Sequence, residues 1–256
     1  MSNISGINNS LANTYAQLSS GKRINSAADD AAGLAIAQEQ NTQVAGYEKG
    51  IENVQSGQEL INVADSGMSG ITDYLQRIKE LALSASNTAL MGEEDLNAIQ
   101  DEIDQLKEGI NDIAKNTNYN GKTLLDGSNQ AFNLATDANG ITKSISSANS
   151  VVEALGIADF DVTTGNFDME TIDNAIESVS TMRSEMGAQS NALEYVKNYN
   201  SEAAYNHASA SSKVEDLDYP TAVTQKKKEE TLLQYQIMMQ RRKQEDEENL
   251  KNQLFK

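Results

Sequence analysis

The 256-residue sequence contains no cysteine, no tryptophan and a single proline, Pro220. Without cysteine, disulfide bonds, thiol chemistry and Cys-ligated metal sites are excluded. Aromatic residues make up only 5% of the chain, so a wide spherical core is difficult to build, whereas a narrow helical bundle can be filled with Ala, Ile, Leu and Val. Because residues 1–219 contain no proline, long helices are free to form there.

Positive charge is scarce in this chain. It has 20 Lys and Arg residues against 38 Asp and Glu residues, which gives a net charge of −18 and a pI near 4.4. Nucleic acids and anionic membranes bind basic surfaces, so neither is expected as a partner. No apolar run reaches the length of a membrane span, and no cleaved signal peptide is recognisable at the N-terminus. We therefore expect that export, if it occurs, uses another route.

Patterns for catalysis and for metal binding are also missing. The chain has no H-E-x-x-H, phosphate-loop or G-x-S-x-G motif, and its one histidine, His207, lies on an apolar repeat where a polar layer is expected. The segment "DFDVTTGNFDME" loosely resembles a calcium loop through Asp159, Asp161 and Glu170. Its fifth position is Thr163, however, and its glycine comes one place late, so a plain connector is expected. We predict no enzyme activity, no cofactor and no metal site.

A first apolar repeat begins near Val44 and has steps of three and four residues. Its positions are Tyr47, Ile51, Val54, Gly57, Ile61, Ala64, Met68, Ile71, Leu75, Ile78, Ala82 and Ala85. Such spacing is typical of a coiled-coil-like helix. At about 45 residues this helix would be roughly 68 Å long, so we predict a rod rather than a compact globule.

A second repeat and a short hairpin follow. The repeat consists of Leu96, Ile99, Ile103, Leu106, Ile110 and Ile113. After the turn residues around Asn120-Gly121, Phe132 and Leu134 alternate ahead of Asn139-Gly140, and Ile141 and Ile145 follow. Alternation around a favoured turn dipeptide predicts a β-hairpin, whose short strands need to lie against the helices.

A third repeat carries several polar positions. It consists of Ala175, Val179, Met182, Met186, Gln189, Leu193, Val196, Asn200, Ala203, His207, Ala210, Val214 and Leu217. Polar residues at such positions can fix the register of a helical bundle at some cost in stability. We expect Pro220 to end this helix, and a tail follows in which residues 241–248 are almost all charged.

Three long stretches are more specific than a generic apolar repeat. They are "LSSGKRINSAADDAAGLAIA" at 18–37, "LQRIKELALSASN" at 75–87 with "DLNAIQDEIDQLKEGINDIAKNTNYNGKTLL" at 95–125, and "IDNAIESVSTMRSEMGAQSNALEYVKNYNSEAAYNHASASSKVEDLDY" at 172–219. All three resemble segments of the bacterial flagellins. The resemblance covers roughly residues 10–219. It implies a mainly α fold: an elongated rod of long antiparallel coiled-coil-like helices with a small β-hairpin region and terminal helical segments.

The resemblance also implies an organisation into domains. We expect an N-terminal segment and spoke at residues 1–30, a helical rod core at 31–218 that includes a hairpin and connector at 128–167, and a charged helical tail at 219–256 that pairs with the N-terminal segment. The variable outer domain of flagellins would be inserted near residues 128–165, where the space is too short for one. With 17 residues before Leu18 and a charged tail, we expect a reduced terminal domain and weak or partner-dependent assembly.

The function that the resemblance implies is structural. A flagellin is exported through the flagellar type III route without a cleaved signal peptide, and it self-assembles outside the cell into the flagellar filament. The alternative is a secreted, poorly polymerising flagellin-like protein that acts as a binding partner or immune ligand. Electron microscopy separates the two interpretations, since the first requires ordered filaments.

Binding residues follow from the same resemblance. The positions that match the patch bound by the flagellin-sensing Toll-like receptor are Gln76, Arg77, Leu81 and Glu102, and further outer-face candidates are Asp73, Glu80, Leu83 and Ser84. In the alternative interpretation, Arg77 pairs with Glu80 or Asp73 on the surface, and Leu81 packs on a neighbouring helix. A flagellar secretion chaperone or an assembly contact is expected on the apolar part of the tail, at Leu232, Leu233, Tyr235, Ile237 and Met239.

Overall fold

The computed structural model describes residues 2–87, 91–129, 131–164 and 167–254. The helices are α1 (Ser2–Ser20), α2 (Ala31–Ala85), α3 (Glu93–Asn116), α4 (Met169–Glu215) and α5 (Tyr219–Leu254). The strands are β1 (Asn118–Tyr119), β2 (Lys122–Thr123), β3 (Ala131–Ala135) and β4 (Thr142–Ser146). The predicted mainly α fold with a small hairpin region is confirmed. Over the described residues, no helix has both the length and the apolar character needed to cross a membrane.

The chain forms two compact units. The central unit comprises residues 45–204, and the terminal unit comprises residues 1–44 together with 205–256. In the central unit, parts of α2 and α4 pack with α3 and both hairpins around one apolar core. Its largest fully buried side chains are Met68, Ile71, Leu75, Ile78, Ile103, Ile110, Leu124, Leu125, Ile145, Ile157 and Ile172.

The first apolar repeat lies at the centre of this core. Every predicted position from Val54 to Ala85 is buried, as is Tyr47, and only Ile51 is half-buried. The predicted phase of α2 is therefore confirmed, although the helix begins earlier than expected, at Ala31. Three- and four-residue steps keep one stripe of a helix facing its neighbours, which explains why the pattern identified these residues.

The predicted hairpin is formed by β3 and β4, which pair antiparallel with Phe132 opposite Ile145. Its loop, residues 136–141, is held by the Asp137 carboxylate, which accepts the backbone N–H groups of Asn139 and Ile141 at 2.9 and 2.8 Å. The loop lies directly on α2, because a Cβ at position 46 would come within 2.5 Å of Ala138 Cβ, and one at position 50 within 2.6 Å of the carbonyl oxygen at position 136. Glycine at these two helix positions is what permits the approach.

A second hairpin was not predicted. Strands β1 and β2 pair across Asn120 and Gly121, which have φ of 50° and 74°. Two consecutive residues with positive φ fit the tight turn that suits a twisted hairpin. The sequence predicted a turn at this dipeptide. Strands of two residues are too short to show an alternation of apolar and polar residues, so they could not be recognised.

The end of the third repeat departs from its predicted phase. Ala210 is exposed, whereas Ser211 and Glu215 are buried. A strict seven-residue repeat drifts by about 20° per heptad on a straight helix. From Ala175 to Ala210 the accumulated drift is about 100°, or one residue, which moves the buried stripe from Ala210 to Ser211.

In the terminal unit, α1 packs against α5 through a buried carboxylate. Glu229 is 4% exposed, and it accepts hydrogen bonds from the Ser10 hydroxyl at 2.6 Å and the Thr14 hydroxyl at 3.0 Å on α1. The amide of Gln225 on α5 donates a third bond at 2.8 Å. Burial by itself raises the pKa of Glu229, but the hydrogen bonds from Ser10, Gln225 and Thr14 outweigh it, so the pKa is lowered.

Candidate functional site

Arg77 lies at the centre of an ion cluster on the outer face of α2. Its Nε and Nη2 atoms donate to Oε1 of Glu102 on α3 at 3.0 and 2.9 Å, and its Nη1 donates to Oε2 of Glu80 at 3.1 Å. The hydrogen bonds to Glu102 and Glu80 raise the pKa of the guanidinium, which is charged in any case. Its side chain remains 49% exposed. The cluster holds the planar group in one orientation on the surface.

The residues around Arg77 form a mixed polar and apolar surface. Gln76, Asp73 and Ser84 are exposed, and the Ser84 hydroxyl donates to the Glu80 carbonyl oxygen one turn before it at 3.1 Å. Leu83 is 67% exposed. A leucine this exposed makes little contribution to the core, so it is available to a partner.

Leu81 does not lie on that surface. It is 8% exposed and belongs to the core of the central unit. It lies three residues after Ile78 and four before Ala85, both of which are fully buried, so the helix turns it towards the core rather than to the solvent. Of the four matched positions, the structure therefore brings Gln76, Arg77 and Glu102 together as exposed side chains, with Leu81 beneath them.

The apolar residues of the tail remain largely exposed on α5. Leu232, Tyr235, Ile237 and Met239 are 42%, 59%, 40% and 48% exposed, and Leu233 is half-buried. Met238 beside them is also exposed at 56%. This exposed apolar row follows directly on the part of α5 that packs against α1.

A buried lysine on α3 was not predicted from the sequence. Lys107 is 9% exposed, and its Nζ donates to the carbonyl oxygens of Phe160 at 2.6 Å and Ala158 at 3.3 Å, and to Asp104 at 3.3 Å. Gln100 on the same helix accepts the backbone N–H of Val162 at 2.9 Å. Both side chains tie the connector that precedes α4 to α3.

In the segment that resembles a calcium loop, the carboxylates accept hydrogen bonds from residues of the same segment. The hydroxyl and the backbone N–H of Thr163 donate to Asp161 at 2.6 and 2.7 Å, and they lower the pKa of that carboxyl. Asp168 accepts the N–H of Glu170 at 2.9 Å, as an N-capping residue does. The loop's glycine, Gly165, lies outside the described residues. Among the residues that are described, no three acidic, histidine or cysteine side chains are arranged to hold a metal ion.

His207 lies in the terminal unit, where its Nδ1 is 2.5 Å from Oε1 of Gln40. Nearby, the Ser211 hydroxyl donates to Oδ1 of Asn41 at 2.9 Å. These contacts join α4 to the N-terminal part of α2 as polar layers.

Comparison with known proteins matches both ends of the chain. The family model of the bacterial flagellin N-terminal helical region matches residues 1–130, and that of the bacterial flagellin C-terminal helical region matches residues 169–254. Flagellin of Bacillus subtilis (strain 168) is 32% identical over 255 aligned residues, which cover 85% of this chain and 84% of that protein. Flagellin of Listeria monocytogenes is 33% identical over 241 residues, covering 85% and 83%.

A solved structure agrees with these matches. The crystal structure of Bacillus cereus flagellin superposes with a TM-score of 0.52 at 26% identity, over 58% of this chain and 88% of that one. The fold and the sequence thus define a helical structural protein rather than an enzyme. The chain belongs to the bacterial flagellin family, whose members form the flagellar filament, an extracellular appendage.

Proposed function

We propose that this chain is exported through the flagellar type III route without cleavage of a signal peptide and polymerises into the filament through its helical core. One observation carries the proposal: the regions matched by the two family models supply α2, α3 and α4, whose apolar faces share one core. The absence of cysteine supports the export route, because no disulfide has to be opened before an unfolded chain is threaded through a channel.

The domain organisation proposed for this function has a core at residues 31–218 and a terminal domain made of residues 1–30 and 219–256. The pairing of α1 with α5 supports it. Besides the contacts of Glu229, the Tyr15 hydroxyl donates to Glu230 at 2.8 Å, and the Lys226 ammonium lies 4.6 Å from the centre of the Tyr15 ring.

Electron microscopy of the purified protein tests polymerisation. The protein is incubated with and without sonicated filament fragments as seeds. We expect ordered filaments of uniform diameter that form weakly from the chain alone and more readily with the seeds, because a reduced terminal domain is expected. The control is Ile78→Asp, which places a charge in the fully buried core and should prevent both folding and assembly. Persistent folded monomers of the parent chain would contradict the proposal and favour the alternative, a secreted and poorly polymerising immune ligand.

We further propose that the exposed face around Arg77 binds the flagellin-sensing Toll-like receptor. Support comes from the orientation that Glu80 and Glu102 impose on the guanidinium, since an ordered, planar group loses little conformational entropy on binding. Gln76 lies beside it, and Leu83 offers exposed apolar area. Leu81 serves in this proposal by packing beneath the patch rather than by touching the receptor.

A binding measurement with the receptor ectodomain tests this patch. Arg77→Ala should weaken binding at least about tenfold, because arginines at the centre of an interface often dominate its energy. The matched control is Arg183→Ala, which removes an arginine of the same unit that pairs with Asp65 on another face at 2.7 Å. Equal affinities of the two variants would show that the patch is not the binding site.

The exposed row on α5 is proposed to bind a flagellar secretion chaperone or another subunit. The double variant Tyr235→Glu with Met239→Glu should reduce capture of a flagellar chaperone at least about tenfold, because it places charge in an apolar contact. Leu250→Glu is the control, since Leu250 is 63% exposed on the same helix but lies outside the row. Unchanged capture and unchanged polymerisation of the double variant would exclude both roles.

A further inference from the structure

A strip without charge runs along the outer face of α4 in the central unit. We call the tyrosine strip the exposed residues Ala188, Asn191, Ala192, Tyr195, Asn198 and Tyr199. At 100° per residue they lie within a sector of about 120°, and they extend for about 17 Å along the helix. Tyr195 is 76% exposed and Tyr199 is 63% exposed. This is a large aromatic area to leave in solvent.

The strip contributes little to the folded unit itself. The described hydrogen bonds include none from the side chains of Tyr195, Asn191 or Asn198, and Tyr199 meets the ring of Tyr47 edge-on at 6.4 Å between centroids. The core is contacted from the opposite side of the helix, where Met186 and Leu193 are buried. Intramolecular packing therefore accounts in part for Tyr199, through its contact with the buried Tyr47, but gives no reason for the exposed Tyr195.

The electrostatics of the strip differ from those of the chain as a whole, which has a net charge of −18. Helix α3 carries eight acidic and two basic side chains, a net charge of −6. On α4, Glu185 and Glu202 lie beyond the two ends of the strip. The two charges within its length, Glu194 and Lys197, fall outside its sector of the helix and form an ion pair of 2.7 Å. The strip is thus an uncharged surface patch on a protein that is acidic overall.

We propose that a second copy of this chain is seated on the tyrosine strip. Each copy carries a net charge of −18, so two copies repel each other wherever their acidic surfaces meet. A neutral face lets them approach without desolvating a charge, and exposed tyrosines supply large contact areas at a low cost in side-chain entropy. Because the second copy is a filament neighbour, this inference rests on the proposed function.

Labelling of a single cysteine tests the contact directly, since the natural chain has none. In Tyr195→Cys, maleimide should react freely with the monomer and at least about tenfold more slowly with the filament.

A second experiment compares two pairs of near-isosteric changes that each add two negative charges. Asn191→Asp with Asn198→Asp alters the strip, and Asn97→Asp with Gln105→Glu alters the exposed face of α3.

We expect the strip pair to raise the critical concentration for polymerisation about tenfold or more, and the α3 pair to change it less than about threefold. Circular dichroism should show that all variants fold, because the altered residues are exposed. Two results would overturn the inference and leave the filament proposal standing: filaments of the Tyr195→Cys variant whose introduced thiol reacts as fast as in the monomer, or equal effects of the two pairs. A parent chain that never polymerises would contradict both.

Discussion

Removing the buried charge of Lys107 should loosen the connector before α4. The substitution Lys107→Met keeps most of the apolar side chain and removes the ammonium that donates to the carbonyl oxygens of Phe160 and Ala158. Leaving a buried acceptor without its donor costs about 1–3 kcal/mol. Gln100 also points Nε2 at the Phe160 oxygen from 3.4 Å and can compensate in part. We therefore expect a loss of about 2 kcal/mol in the free energy of unfolding.

Urea unfolding followed by circular dichroism at 222 nm measures this loss. The midpoint should fall with an unchanged slope, and the melting temperature should drop by about 4–8 °C for a chain of this size. Lys143→Met is the control, because Lys143 is exposed on β4, and we expect a change within about 0.5 kcal/mol. Hydrogen exchange of the Val162 amide should also quicken in the Lys107 variant alone. A loss below about 0.5 kcal/mol would refute the role assigned to this lysine.

Two further predictions concern packing and pH. A Cβ at Gly50 would lie 2.6 Å from the backbone carbonyl oxygen of Thr136, so Gly50→Ala should destabilise the protein by about 1–3 kcal/mol in the same urea assay. Gly187→Ala meets nothing within 4 Å and should instead stabilise α4 by about 0.5–1 kcal/mol, and the same sign for both would contradict the packing described. The lowered pKa of Glu229 means that its contribution is fully present above its ordinary value of 4.5 and is lost as the pH falls through the lowered pKa. Limited proteolysis of α1 and α5 should accelerate in that range, and Glu229→Gln should flatten the pH dependence.

The sequence predicted those parts of the fold in which apolar residues recur at fixed steps. Every position predicted for the buried stripe of α2 from Val54 to Ala85 is buried, because apolar residues at three- and four-residue steps share one face of a helix. Leu60 and Leu81 are also buried, although neither was part of the predicted stripe. The last turns of α4 were not predicted correctly, because the repeat there is built from alanine and polar residues whose small apolar area cannot indicate a phase. Ser211 and Glu215 are buried by hydrogen bonds and ion pairing instead.

The candidate site was predictable in its composition but not in its contacts. In the alternative interpretation Arg77 pairs with Glu80 or Asp73, each about one turn away, and the structure shows the pair with Glu80. The bond from Arg77 to Glu102 depends on how α2 and α3 pack, which sequence spacing does not give. The burial of Lys107 was not predicted for a related reason. Lysines are rarely buried, and its acceptors are backbone carbonyl groups, which every residue has, so the sequence does not indicate them.

The loop of the larger hairpin has a consequence for how such chains can vary in length. It is held at Thr136 and Ala138, where it lies against the glycines of α2, whereas a Cβ added at Gly140, at its tip, would meet no atom within 4 Å. Sequence inserted between Asn139 and Gly140 would extend into solvent and leave the contacts of Thr136 and Ala138 with α2 unchanged. The tip of this hairpin is therefore a site at which evolution or protein engineering can insert additional sequence without changing the packing of the core.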